Sequence, residues 1–191
     1  MALTNIITAF GLAGAAGLNA YIPLLIVGIL GKLGVLTLSE PFNILTSWPA
    51  IIIIAVLLIV EVVVDKVPGA DHLNDVIQTI VRPAAGAVLF AANTGVVQGM
   101  DPTLALGLGL VMALSTHAVK AAARPVVNAT TAGLGAPVVS ALEDVTSATT
   151  SLVAIFLPPL LVVLVLLIGY LYWRWRIRGK DDADRAKLES A

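Results

Sequence analysis

The sequence predicts an all-α, polytopic integral membrane bundle of about five to six spans. Three observations carry this. Hydrophobic residues make up 59% of the 191 positions and charged residues only 12%, where a soluble domain carries roughly 25% charged. Several segments approach the ~20 apolar residues that a membrane-crossing helix needs. The charges between them recur at helical spacing instead of being scattered. Mean hydropathy is +0.99, and so few charges cannot clothe a water-facing surface. The net charge of -1 carries little information, because the distribution of charge decides more. With no cysteine, disulfides, thiolate metal sites and cysteine nucleophiles are excluded.

The first apolar stretch, residues 5–31, has no charge and no basic region before it, so it is expected to be a retained span and not a cleaved signal. It contains GLAGAAGLNAYIP. Its small residues permit close helix packing. Asn19 and Pro23 mark a helix break, either a simple kink or a discontinuous helix whose freed backbone groups line a site. Residues 32–47 form a loop, and Trp48 and Pro49 mark re-entry at an interface. A second span covers 50–64, bounded by Asp65 and Lys66, and VPGAD is a turn. A third span runs from about 73 to 97. QGMDPT is the next turn, and TLALGLGLVMAL opens a fourth span.

Residues 125–150 are rich in Gly, Pro, Thr and Ala, and they fit a re-entrant hairpin or a short polar span. Residues 151–172 form the last span, bent at Pro158 and Pro159. The transmembrane domain thus covers 1–173, with halves 1–99 and 100–173, and 174–191 form a basic, then acidic tail. Arg174, Arg176, Arg178 and Lys180 place the carboxyl end in the cytoplasm of a multi-pass inner-membrane protein. Six crossings would put the amino end there too, and five would put it outside. Internal echoes, NAYIPLL with AAARPVV and PGADHLNDV with PVVSALEDV, point to a duplicated origin with inverted repeats. So small a bundle is also expected to pair as a homodimer.

The charges form polar seams. Glu61 and Asp65 lie four apart. Asp75, Gln78, Thr79 and Arg82 share one helical face. His117, Lys120 and Arg124 share another, one turn short of Asn128. Ser140, Glu143 or Asp144, Ser147 and Thr150 make a fourth. A lone charge near mid-membrane costs roughly 2.5–3.5 kcal/mol, so these groups must pair, coordinate or meet water. Glu61, Asp65, Asp75, Gln78, Arg82, His117, Lys120, Arg124, Asn128, Glu143 and Asp144 are therefore the candidate binding or coupling residues. The competing account puts Asp65, Lys66 and Asp71 in headgroup water and lets Arg82 and Arg124 snorkel. His72 and His117 alone are a weak case for a metal, so no metal and no cofactor is expected.

The blocks GLAGAAGLNAYIPLL, EVVVDKVPGADHLNDVIQTIVRPAAGA, HAVKAAARPVVNATTAG and SALEDV resemble the bacterial membrane family called domain of unknown function 4126. The resemblance implies a compact inner-membrane protein and brings no biochemical role. The residues favour a transporter or channel-like carrier for a small polar or ionic solute, coupled to protons or cations through buried carboxylates. A second reading is a non-transporting scaffold or assembly factor whose Gly/Ala faces bind partner helices. A lipid-active enzyme is disfavoured, since HExxH, GxSxG and P-loop motifs are lacking. The expected partners are the lipid bilayer and a second copy, with no nucleic acid.

Overall fold

A computed structural model describes residues 2–64, 70–93, 99–131 and 135–189; for 2, 70–75, 124, 128 and 175–189 it gives only the helical course. Among the described residues there are seven α-helices and no strands: α1 (Ala2–Leu18), α2 (Tyr21–Lys32), α3 (Trp48–Val64), α4 (Ala70–Ala92), α5 (Pro102–Thr131), α6 (Ala136–Phe156) and α7 (Pro158–Glu189). A short 3₁₀ turn, Phe42–Thr46, precedes α3.

The break in the first apolar stretch reverses the chain. The Asn19 N–H still closes the last turn of α1 on the Ala15 carbonyl at 3.1 Å, while its Oδ1 accepts from the Tyr21 and Ile22 N–H groups at 3.0 and 3.1 Å. This side chain replaces the turn of helix that is lost, as short amide side chains do at helix starts. After the turn α2 runs back beside α1. Leu38 pairs with Asn93 as an isolated bridge, and Asn93 Nδ2 donates to the Asn5 carbonyl at 3.3 Å. The chain beyond α2 thus returns to the end of the bundle where α1 begins. We call this the proximal end.

At 1.5 Å per residue, α1 is about 26 Å long and α2 about 18 Å. Their tip stops inside the bundle. Its partner Asp144 lies about 12 Å along α6 from the start of that helix, by the same rise. The α1–α2 pair is therefore a hairpin that enters and leaves at the proximal end. A single kinked span over 5–31 is not what forms. Of the two alternatives for residues 125–150, a re-entrant hairpin or a short polar span, the helical one forms: α5 runs to Thr131 and α6 starts at Ala136 after a turn at Gly135, while 132–134 lie outside the described residues.

Each proline has a local consequence. Pro158 has no N–H for the Ala154 carbonyl, and the Thr8 hydroxyl donates to that oxygen at 2.7 Å. The expected last span over 151–172 is accordingly two helices, divided at Leu157. Pro83 and Pro125 lie within continuous helices. Ser39 caps the end of α4, with its N–H on Ala92 O at 2.9 Å and its hydroxyl on Ala91 O at 2.7 Å.

α1 is the central helix. Its small residues Ala9, Ala13, Ala15 and Ala16 are fully buried, and a Cβ on Gly17 would meet the Ala113 carbonyl and the Thr116 side chain. α7 starts at the proximal end, where Leu161 packs on Gly11, and runs to the opposite, distal end. The amino and carboxyl ends thus lie at opposite ends of the bundle, not at one end as six crossings would give. α3 is loosely held. It buries only Ile51, Ile54 and Glu61 and turns Ile52, Ile53, Val56, Ile59 and Val60 outward. Two helices, α5 and α6, are long and apolar enough to cross a membrane, and five shorter apolar helical stretches accompany them.

Candidate functional site

The polar seams meet at the hairpin tip. Glu61 ends the apolar run of α3 one turn from the last described residue of that helix, and its side chain is 1% exposed. It accepts from Arg82 Nη2 of α4 at 2.9 Å. Arg82 is 0% exposed. Its Nη1 lies 3.1 Å from His117 Nδ1 on α5, and His117 Nε2 lies 3.1 Å from Thr79 Oγ1 on α4. A guanidinium can only donate. Nδ1 must therefore accept, which leaves the ring neutral with its proton on Nε2, donating to Thr79. Hydrogen bonds thus diverge from Arg82, to Glu61 on one side and through His117 to Thr79 on the other, across three helices.

A second centre sits on the other side of the tip. Lys120 Nζ, three residues beyond His117 on the same face of α5, lies 2.7 Å from Glu143 Oε2 of α6. It also donates to the Leu18 carbonyl at 3.0 Å. Leu18 is the last residue of α1, so the ammonium sits on the negative end of that helix dipole. Asn19 Nδ2 donates to Asp144 Oδ1 at 2.8 Å. The Ser147 hydroxyl reaches the Ala15 carbonyl at 3.0 Å and the Asn19 carbonyl at 3.4 Å. The latter is the oxygen that Pro23 cannot serve.

Adjacent residues on a helix point about 100° apart, and Glu143 and Asp144 accordingly take different partners. Gln78 is buried one turn before Arg82, and its carboxamide lies against the Tyr21 hydroxyl, which also stands near Glu61 and Arg82. Of the candidates read from sequence, Glu61, Gln78, Arg82, His117, Lys120, Glu143, Asp144 and Asn19 are brought together, and Pro23 lies in the first turn of α2. Asp65 lies outside the described residues. So do the side chains of Asp71, His72, Asp75, Arg124 and Asn128. His117 spends both ring nitrogens on Arg82 and Thr79, which leaves neither to ligate a metal in this arrangement. Sequence reasoning missed Tyr21 and the carbonyl of Leu18. The only available signal was their place beside Asn19 at a helix break.

A separate cavity of about 280 Å³ opens near the proximal end. Asn5, Thr8, Thr37 and Asn93 give it polar walls, and Leu12, Val27 and Leu89 line its apolar side.

No curated protein and no solved structure matches the chain. A family model described as a domain of unknown function (DUF4126) matches residues 6–177. That match spans nearly the whole chain, so the protein is a member of the DUF4126 family.

Proposed function

We propose that this protein is a multi-pass inner-membrane carrier for a small polar solute, with its carboxyl end in the cytoplasm. Membrane residence is supported by α3. Its β-branched run favours strand in water, yet it is helical and turns most of its side chains outward. A helix that satisfies its backbone internally and exposes apolar groups suits hydrocarbon. The basic cluster after residue 173 then sits on the cytoplasmic side, which is the distal end.

The observation that carries the carrier reading is the meeting of ionisable groups from α3, α4, α5 and α6 around the tip of a re-entrant hairpin. Broken helices with charged partners at mid-depth are how transporters build sites. Stability alone does not demand them, because buried ion pairs are often matched or exceeded by apolar packing. Glu61 is the coupling group in this scheme. A proton on Glu61 discharges its pair with Arg82, and that pair is the polar tie between the loosely packed α3 and the rest of the bundle. Arg82 is then free to turn to the solute. The arrangement described above is the occluded state.

Flux into liposomes tests this. Glu61→Gln, which mimics the protonated form, is expected to uncouple flux from the proton gradient, and Glu143→Gln to slow it. Unchanged flux and coupling in both variants would exclude the carrier.

A structural role for the charges is favoured by one observation: both ion pairs are closed, at 2.9 and 2.7 Å. Gly11 and Gly17 pack against Leu161, Ala154 and Thr116 of this chain. Gly17→Leu would therefore report on folding and not on partner capture.

A further inference from the structure

We infer that the buried centre binds a small uncharged solute bearing a hydroxyl or amide group, held between Gln78 and Arg82. This rests on the carrier reading for its route and extends it to the class of solute. Gln78 and Arg82 lie one helical turn apart on the same face of α4, and they are 1% and 0% exposed. Each has one polar atom that no group among the described residues serves: the acceptor Oε1 of Gln78 and the donor Nε–H of Arg82. Buried groups of this kind are nearly always satisfied, and leaving one without a partner is costly.

The two atoms are of opposite kind, and that sets the ligand. A cation can serve Oε1 but offers nothing to Nε–H. An anion can serve Nε–H but repels the carbonyl oxygen. A hydroxyl or a carboxamide both donates and accepts, so one small neutral molecule satisfies both. Among the described residues Arg82 is paired with Glu61 and Lys120 with Glu143, so an incoming anion meets cations that are already engaged.

The access side agrees. Among the described residues the proximal cavity is lined by two asparagines and two threonines beside apolar residues, with no charged side chain. Its inner residues Leu12, Val27 and Leu89 belong to the same buried cluster as Ala16, Ala20 and Ala85, against which Tyr21 and Val81 pack. Tyr21 in turn touches Gln78. One apolar layer thus separates a neutral polar mouth from the Gln78–Arg82 pair. The volume of about 280 Å³ admits a molecule the size of glycerol or a simple amide.

The full chain in detergent, and the same chain in liposomes, is to be tested with glycerol, acetamide, potassium and chloride. Saturation-transfer NMR on the detergent sample should show glycerol or acetamide bound, and light-scattering flux should show entry of the same compound. Gln78→Leu is expected to weaken binding about tenfold, the factor given by about 1.4 kcal/mol, while Gln78→Asn retains part of it. Circular dichroism and thermal melting identify any variant that fails to fold, and Gln78→Asn then carries the comparison. Binding without flux would uphold the solute class and sink the carrier. Flux of ions with no neutral compound bound or moved would uphold the carrier and overturn this inference. Passage of water alone, with neither compound bound, would overturn it as well.

Discussion

At the residue scale, the fold relies on polar side chains that do two tasks at once. Asn19 caps α2 through its oxygen and grips Asp144 through its nitrogen. Asn19→Ala should therefore cost more than the ~1 kcal/mol of an ordinary cap, because a half-buried carboxylate also loses its donor. Asn19→Asp should be worse than Asn19→Ala, since it sets a second carboxylate beside Asp144. Thermal unfolding in detergent gives the order directly. His117 offers a similar comparison. His117→Leu leaves a buried Arg82 donor unserved, at about 1–3 kcal/mol or more. His117→Gln, which can accept from Arg82 and donate to Thr79, should recover much of that loss. The seam carrying His117 and Lys120 was legible in the sequence from spacing alone. Partner choice was not. Glu143 and Asp144 are chemically alike and adjacent, and only the rotation of α6 against α1 and α5 decides which takes Lys120.

At the scale of elements, glycines and prolines govern how closely helices approach and where the chain turns. Gly109 of α5 faces Gly86 of α4, and a Cβ there would meet the Gly86 carbonyl, Phe90 and Ala87. Gly109→Ala should destabilise by about 1–3 kcal/mol, the usual cost of overpacking. Gly107→Ala, two residues away with nothing within 4 Å, should be neutral or stabilising by up to ~1 kcal/mol through helix propensity. Reversal of those two outcomes would refute the packing of α4 on α5. The helix break itself was readable from Asn19 and Pro23. Its direction was not, because a kink and a reversal use the same residues, and no Gly-rich loop announces a turn. The polar run over 125–150 left a re-entrant hairpin and a short polar span both open, and helix is what forms. Its Ser and Thr residues look loop-like, yet they serve backbone carbonyls within helices, as Thr130, Thr131 and Thr146 do. Because the chain has no cysteine, Leu38→Cys with Asn93→Cys gives a clean test of the return. These bridge-paired positions should form a disulfide on mild oxidation, as directly opposed positions in an antiparallel pair permit. A single span over 5–31 would put its end at the far side of the bundle from the start of α1, and no crosslink would form.

At the scale of the whole molecule, an apolar exterior surrounds a centre where Glu61 pairs with Arg82, Glu143 with Lys120, and Asp144 takes the Asn19 amide. The composition made the exterior legible, and the energetic cost of isolated charges made a shared centre the expected outcome. The number of passes was not legible, since a 12-residue return helix such as α2 is too short to count as a span. Reporter fusions should place the amino end outside and the carboxyl end in the cytoplasm, and a common side for both would contradict the hairpin. The central claim is that charges from separate helices hold one another at the hairpin tip. A double-mutant cycle on Glu61→Leu and Arg82→Leu, read by thermal unfolding in detergent, tests it most directly. Each single variant should cost about 3–5 kcal/mol and the double variant far less than their sum. Costs that add within about 0.5 kcal/mol would mean that the two side chains act independently, and the account would fail.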